Sequence, residues 1–384
     1  MIRASRILLS AVVSLAVTAS AQVGQLTFSG QAWGSGAYGN DPVDNYASTE
    51  ATAGYIPELN LKAGQPGGAQ IEALFAFRSS FLYRQQLSPK RWETADSVRV
   101  YRVWMQLRST RWELRLGRQK IAFGPGQFLR PLAWFDTLDL RDPTGQTVGV
   151  DAVRARFFPN DRLSLWGWGI VQNSAGLAYN LDQFSPGGRA EYLLGDVELG
   201  FTFHQENFSG RSTARSRMAL DFRTDKIIGL WAEAYALRDN DDEASISRTD
   251  VLMVGVDYTL PIGSGVLVMA EHLQSRSVNT IQVFDPYTGK VSTAGGSTTR
   301  TQATAVLGAL PLGLFDRLTV VAYYLHDLKF SSYFFMWQRT YDFWSLSVLM
   351  FANPPRSELG LSGNTFPSVV GVGNGVQLLL VFHH

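Results

Sequence analysis

Apolar and polar residues alternate with a period of two along most of this chain, in segments of about 8 to 12 residues, the pattern of strands with one apolar and one polar face. From Gln25 to Trp33 the sequence puts Leu26, Phe28 and Ala32 on one face and Gln25, Thr27, Ser29 and Gln31 on the other. From Val197 to His204 it sets Val197, Leu199, Phe201 and Phe203 against Glu198, Thr202 and His204. Similar segments fall at 69–78, 98–108, 111–123, 148–158, 162–171, 187–194, 217–223, 227–237, 250–260, 265–274, 300–310, 317–327, 336–351 and 372–382. Helical periodicity is scarce, and no apolar run reaches the roughly 20 residues of a membrane helix.

The connectors between these segments sort into two kinds that alternate along the chain. Gly64–Gly68, Ser109-Thr110, Pro159–Asp161, Gly195-Asp196, Thr224–Lys226, Pro261–Gly265 and Pro311–Asp316 are short. Gly34–Ser48, Arg84–Asp96, Gly124–Thr147, Gln172–Pro186, Asp239–Ser247 and Ser275–Gly296 are long and polar. Short turns at one end and long loops at the other characterise bacterial outer-membrane barrels, with the turns in the periplasm. The predicted fold is all-β: one transmembrane antiparallel β-barrel over residues 22–384, of about 18 strands if a short strand at 357–363 is allowed, with 16 left open.

Two hairpins give this pattern residue detail. With Ser109-Thr110 as the turn, Leu107 faces Trp112, Met105 faces Leu114 and Val103 faces Leu116, while Arg108, Gln106 and Trp104 face Arg111, Glu113 and Arg115. With Gly195-Asp196 as a two-residue turn, Leu194/Val197, Tyr192/Leu199 and Ala190/Phe201 fall together, opposite Leu193/Glu198, Glu191/Gly200 and Arg189/Thr202. The apolar face would also suit the core of a soluble sandwich. Lipid is favoured by the connector alternation, by aromatics near strand ends such as Phe157-Phe158 and Phe343-Trp344, and by a leader.

That leader is Met1 to Ala21: basic Arg3 and Arg6, an apolar stretch from Ile7 to Val17, and Ala19-Ser20-Ala21 as an A-x-A cleavage site. Processing there leaves Gln22 first, and the absence of cysteine at that position excludes lipid attachment. Cleavage changes the formal net charge from +1 to −1. With no cysteine anywhere, disulfide scaffolds, cysteine-ligated zinc and cysteine nucleophiles are excluded. At the other end, Gly375-x-x-Leu378-x-Leu380-x-Phe382 is similar to the C-terminal signal read by the barrel-assembly machinery, although His383 and His384 follow the aromatic.

Charge changes the picture more than composition does. Residues 78–162 hold 14 Arg and 2 Lys against 8 acidic residues, a net +8 that the rest of the processed chain offsets. By alternation, Arg78, Arg102, Arg108, Arg111, Arg115, Arg154 and Arg156 occupy the polar face of four consecutive strands, with Glu113 among them. In a barrel that face is the lumen, because an arginine turned to lipid costs about 2–4 kcal/mol at the midplane. An arginine ladder in a wet pore attracts anions, and its planar forks suit carboxylate, phosphate or sulfate. Pairing with Glu72, Glu113, Asp151 or Glu191 is the plainer reading of the same arginines, and both can hold together.

Leu114-Arg115-Leu116-Gly117-Arg118-Gln119-Lys120-Ile121-Ala122-Phe123-Gly124, followed later by Gly149-Val150-Asp151-Ala152-Val153-Arg154, resembles the alginate-export family of outer-membrane barrels. There a strand ending Gly-Arg-Gln, an aromatic-Gly turn and a later Phe-Asp-Gly-Val-Arg motif recur; Val150 and Ala152 depart from it. The resemblance covers about 45 residues and implies an 18-stranded export or uptake channel, with Arg115, Arg118, Asp151 and Arg154 as lumen candidates. Arg118 has the parity of Leu116, so it reaches the lumen only if Gly117 forms a bulge or the strand has left the membrane.

Weaker features complete the reading. Gly124–Thr147 carries Arg130, Trp134, Asp136, Asp139 and Arg141 and either folds inward as a constriction or is an ordinary surface loop. Asp239, Asp241, Asp242 and Glu243 suit calcium or a divalent bridge to lipopolysaccharide, but a solvated acidic loop is the plainer alternative. Gly371-x-Gly373-x-Gly375 lacks a following helix, which rejects a dinucleotide site. His204, His272 and His326 have no nucleophile or metal-ligand spacing around them, so neither enzyme activity nor a cofactor or metal is expected. The expected partners are outer-membrane lipids and lipopolysaccharide, the barrel-assembly machinery and an anionic solute or polysaccharide, with no nucleic acid. The expected function is passive passage of such anions; the alternative is a structural or surface-binding barrel with a plugged lumen.

Overall fold

Residues that alternate between lipid and water are stable only where every backbone N–H and C=O is paired, and a closed antiparallel sheet is the strand solution. The computed structural model describes residues 24–41, 43, 46–64, 68–87, 90–136, 144–147, 149–172, 184–207, 214–240, 245–285, 290–355 and 369–384. These residues form β1 Gln25–Asp41, β2 Tyr46–Gly64, β3 Gln70–Leu87, β4 Lys90–Arg108, β5 Trp112–Gln119, β6 Val150–Asn160, β7 Leu163–Gln172, β8 Ser185–Leu194 and β9 Val197–Glu206. The second half follows as β10 Arg215–Asp225, β11 Gly229–Asn240, β12 Ser245–Leu260, β13 Val266–Asp285, β14 Lys290–Leu312, β15 Asp316–Leu325, β16 Phe330–Thr340, β17 Trp344–Ala352 and β18 Asn374–His383. Each strand pairs antiparallel with its sequence neighbours, and β1 also pairs with β18, so the 18-stranded sheet closes on itself. The expected leader, residues 1–21, and the short strand at 357–363 lie outside the described residues.

The closing seam runs from Gln31↔His383 to Asn40↔Asn374. His384 extends it: its N–H donates to the Gly30 carbonyl at 3.1 Å, the Gly30 N–H donates to the His384 carbonyl at 3.0 Å, and the ring bonds the Tyr55 hydroxyl at 2.8 Å. The two histidines after the terminal aromatic therefore belong to the seam.

Alternation located most strands, and its errors have physical causes. The hairpin at Gly195-Asp196 has the expected register, Leu194↔Val197 through Arg189↔Thr202. The β4–β5 hairpin slides by two: Leu107 faces Leu114, Met105 faces Leu116 and Arg108 faces Glu113, with Arg111 in the turn. A slip of two preserves which face each side chain takes. The segment 336–351 is two strands, β16 and β17, and β2 was missed altogether. Over their described residues, Arg84–Asp96, Asp239–Ser247, Gly34–Ser48 and Ser275–Gly296 are largely strand, because β1–β4 and β11–β14 run past the apolar belt as paired hairpins whose outward face also carries polar side chains.

Inside and outside are told apart by exposure. Leu26, Phe28, Leu220, Leu252, Val306, Leu378 and Leu380 are exposed on the outer surface, while their odd or even neighbours Trp33, Ala219, Met253, Ala305, Leu379 and Val381 are buried inward. Such a continuous apolar exterior on a closed sheet is a lipid-facing belt.

Candidate functional site

The inward faces of β4, β5 and β6 carry the arginines. Tyr101 is an extra residue where the β3–β4 register shifts, and past it Arg102, Trp104 and Gln106 point inward. Register then places Gln106 beside Arg115, Arg115 beside Arg154, and Glu113 between Arg108 and Arg156. Arg154 donates to Glu113 at 2.6 Å, and both are buried. Arg115 donates to the Gln106 amide oxygen and stacks 4.1 Å over Trp104. Arg156 stacks 4.0 Å over Trp166 and 5.1 Å over Phe158. Arg102 donates to the carbonyl and hydroxyl of Thr147 at 2.9 and 2.7 Å. Among the described residues, Arg102, Arg115 and Arg156 have no carboxylate within 4.0 Å. Aromatic faces and neutral oxygens hold them in place without cancelling their charge.

The remaining candidates sort differently. Arg78 on β3 faces inward and stacks 5.1 Å over Trp33 of β1; its register partner is Arg99, and it lies two residues along β3 from Ala76, the partner of Arg102. Arg108 and Arg111 are exposed at the short-turn end, and Arg111 is in the turn itself, so it does not belong to the lumen wall. Arg118 makes a two-pronged pair with Asp151 at 2.8 and 2.6 Å. Gly117 has a left-handed φ of 110°, where an added Cβ would lie 2.3 Å from the Val103 carbonyl oxygen, yet pairing runs through it without an inserted residue. Arg118 is thus neutralised and keeps the parity of Leu116.

The long connector between β5 and β6 folds inward. Ile121, Phe123, Leu132 and Phe135 are buried, with Phe123 stacked on Trp168 of β7 and Trp134 edge-on to Tyr235 of β11. Phe128 meets Tyr323 of β15. In a ring of eighteen strands β13 to β15 stand opposite β4 to β6, so the loop crosses the full lumen. Two buried glutamates on the far side hold it by its backbone. Glu233 of β11 accepts from Gly126 N–H at 2.6 Å and Leu132 N–H at 3.0 Å. Glu271 of β13 accepts from the N–H groups of Gln127, Phe128 and Leu129 at 2.7, 2.9 and 2.6 Å, and from Trp231 at 3.0 Å.

Glycine permits this approach. An added Cβ at Gly124, whose φ is 88°, would lie 2.5 Å from a Glu233 carboxylate oxygen, and one at Gly126 would lie 2.9 Å from it. Within the loop Asp136 is buried and pairs with Arg130 at 2.7 Å and Lys120 at 3.5 Å. Its return limb is tied to Gln31 of β1, which donates to the Thr144 carbonyl at 2.9 Å. Asp139 and Arg141 lie outside the described residues.

Beneath the crossing, two inward cavities remain. One of about 690 Å³ reaches the short turns and is lined by Arg108, Arg189 and Arg223 together with Glu191, Glu198 and Asp221, among others. The second, about 260 Å³, lies on the far side between Phe128 and an apolar wall that includes Leu267, Leu307, Val321 and Phe334.

The chain matches no protein-family model and no curated protein. In structure it is similar to OccAB1 of Acinetobacter baumannii, at 10% identity over 94% of this chain and 96% of that one, with a TM-score of 0.58. It is also similar to OccD3 of Pseudomonas aeruginosa, at 10% identity over 95% and 92% with a TM-score of 0.51. OmpT, an outer membrane protein of Vibrio cholerae, matches at 8% identity over 95% and 99%, with a TM-score of 0.51. The fold is that of a bacterial outer-membrane β-barrel. At these identities the likeness carries architecture alone.

Sequence reading missed Glu233 and Glu271. Each is a lone carboxylate at an inward position, Glu233 within the otherwise apolar Leu230 to Tyr235 and Glu271 directly after the apolar run Val266 to Ala270. That signal was available; the partners, more than 100 residues away, were not. Of the histidines, His204 is buried against the loop at 4.8 Å from Phe135, while His272 and His326 sit on the outer face, bonded through Thr304. Asp239 faces inward and pairs with Arg215 at 2.7 Å, and Asp241, Asp242 and Glu243 lie outside the described residues. No group of metal-ligating side chains occurs among the described residues.

Proposed function

We propose that this chain is an outer-membrane channel for passive passage of anionic solutes, an anionic polysaccharide included. The observation that carries the reading is the set Arg102, Arg115 and Arg156 on the inward face of three adjacent strands, without carboxylate partners among the described residues. Positive charge in a water-filled constriction with low-dielectric walls raises the local anion concentration and lowers that of cations. The apolar opposite wall adds a face along which the uncharged part of a solute can slide.

The alginate-export-like segments support a polyanion, with a qualification from their own geometry. Arg118 grips Asp151, and Gln119 donates to the Ala152 carbonyl at 3.0 Å, so the two halves of that motif clamp β5 to β6 at the base of the crossing loop. Those residues support the constriction; solute contact falls to Arg115 and Arg156 below it.

A plugged, structural barrel is the second reading, and the loop spanning the lumen between Glu233, Glu271 and the β5–β6 base is what favours it. Planar bilayers separate the two. A channel is expected to give steady steps of conductance with reversal potentials on the anion side in a salt gradient; a silent barrel that inserts normally would sink the channel reading.

Residues 1–21 are proposed to be removed as a secretory leader. The proposed orientation puts the short turns in the periplasm. Protease added to intact cells is expected to cut at the ends of the β3–β4 or β11–β12 hairpins and to spare Ser109-Thr110 and Gly195-Asp196. Surface cleavage at either short turn would invert the topology.

A further inference from the structure

Outward-facing side chains on β11 to β14 have even numbers, as the exposure of Leu230, Leu252, Val268 and Val306 establishes. Followed toward the long-connector end, the apolar positions give way to a half-polar row, where Thr304 bonds His272 at 3.0 Å and His326 at 2.8 Å. Beyond it, the same outward parity brings Arg238, Arg248, Arg276 and Arg300, one on each of four adjacent strands and all exposed. Arg238 is the register partner of Arg248, and Arg276 of Arg300. Arg248 bonds Asp250 at 2.9 Å; the other three have no carboxylate partner among the described residues.

Height fixes what meets these arginines. Arg276 and Arg300 are each four residues past the His272–Thr304 pair, about 13 Å along a strand and about 9 Å in depth at the usual tilt near 45°. On the membrane-barrel reading that step carries them from the edge of the apolar belt into the lipid headgroup layer, where a side chain pointing away from the lumen meets lipid rather than solute. Two register pairs, one step apart on neighbouring strands, offer two guanidinium forks to two phosphates. On the same outer surface, nearer the short turns, an apolar furrow of about 470 Å³ lies between Ala232, Ala234, Leu220 and Phe222, directly along β11 from Arg238. It gives an acyl chain somewhere to lie.

We propose that the outer face of β11–β14 binds the phosphates of an acylated, diphosphorylated glycolipid of the outer leaflet. The site rests on the membrane-barrel reading and is independent of what the lumen carries. Opposed patches differ: at the corresponding end of β4 the outward residues are Thr94 and Asp96.

The test uses the full barrel inserted in phosphatidylcholine vesicles containing diphosphoryl lipid A, its dephosphorylated form, or neither, comparing the native chain with R238Q/R276Q/R300Q. Native mass spectrometry after mild extraction counts retained glycolipid, and heat-modifiable migration reports insertion separately. The native chain is expected to retain the diphosphorylated glycolipid, and the triple variant to bind it about a hundredfold more weakly, the combined effect of three basic residues at an anionic lipid surface. Equal retention by the variant, or equal retention of the dephosphorylated lipid, would overturn the proposal. Displacement by inorganic phosphate at matching concentration would make this a small-anion site and remove the lipid. Failure of the native chain to insert would instead bring down the membrane reading beneath it, and migration shows which has happened.

Discussion

Replacing Glu233 and Glu271 together with glutamine is expected to raise single-channel conductance severalfold. Their four carboxylate oxygens accept from five loop N–H groups and the Trp231 ring, all across the lumen from the loop's own strands. Hydrogen bonds to a charged acceptor contribute about 1.5–3 kcal/mol each. A glutamine keeps one acceptor oxygen and turns an NH₂ toward groups that are themselves donors, so at least one N–H at each position loses its partner and meets another donor. Phe123 and Phe128 still pack on the walls, so the loop is expected to fluctuate between docked and released positions, with noisier current as well as larger steps. The barrel's own pairing does not involve these carboxylates, and heat-modifiable migration should be unchanged. Native conductance in a correctly folded double variant would mean that the crossing does not limit the pore.

Those two glutamates also mark where sequence reading stops. Period-two alternation finds a strand when one face meets lipid and the other water, and it locates β5 to β11, β15 and the belt-spanning parts of β12 to β14 closely for that reason. It fails where both faces carry polar side chains, which is why the long hairpins beyond the belt read as loops. It fails at β2, where Pro57 interrupts the pattern and the pairing to β3 skips from Tyr55↔Ser79 to Glu58↔Ala76. The β4–β5 register was two residues out because the turn is longer than Ser109-Thr110, but side-chain direction survived the slip. That is why alternation gives Arg102, Arg115, Arg154 and Arg156 the inward face they take in the sheet, while Arg111 falls in the turn. Alternation states which face a residue takes; it cannot state which partner it finds. Arg154 and Arg118 turned out to be held by Glu113 and Asp151, one and the same strand pair apart, whereas the loop's anchors lie on strands whose proximity only closure of the barrel creates.

The distinction between paired and unpaired arginines decides the second large effect. Replacing Arg102, Arg115 and Arg156 with glutamine is expected to abolish most of the anion preference measured as reversal potential in a salt gradient. A unit charge about 8 Å from a passing ion, in surroundings of dielectric 40–80, is worth about 0.5–1 kcal/mol, or about two- to sixfold in local anion concentration. Three such charges compound, and the same field excludes cations, so the permeability ratio moves further than either concentration does. Glutamine retains hydrogen-bonding capacity and much of the length, which assigns the change to charge. Arg154→Gln is the informative contrast: it removes one charge too, but leaves buried Glu113 without its 2.6 Å partner, so the carboxylate is free to turn toward Arg115 or Arg156 and its loss should cost folding yield as well. Because Arg102 holds Thr147 of the loop, R115Q/R156Q alone should lower selectivity with conductance nearly constant, whereas adding R102Q should alter both. The native preference should shrink toward 1 M salt, where screening shortens to about 3 Å. Unchanged selectivity in a triple variant that inserts and conducts would make these arginines scaffolding and remove the anion from the proposed function, leaving a barrel whose crossing loop sorts solutes by size alone.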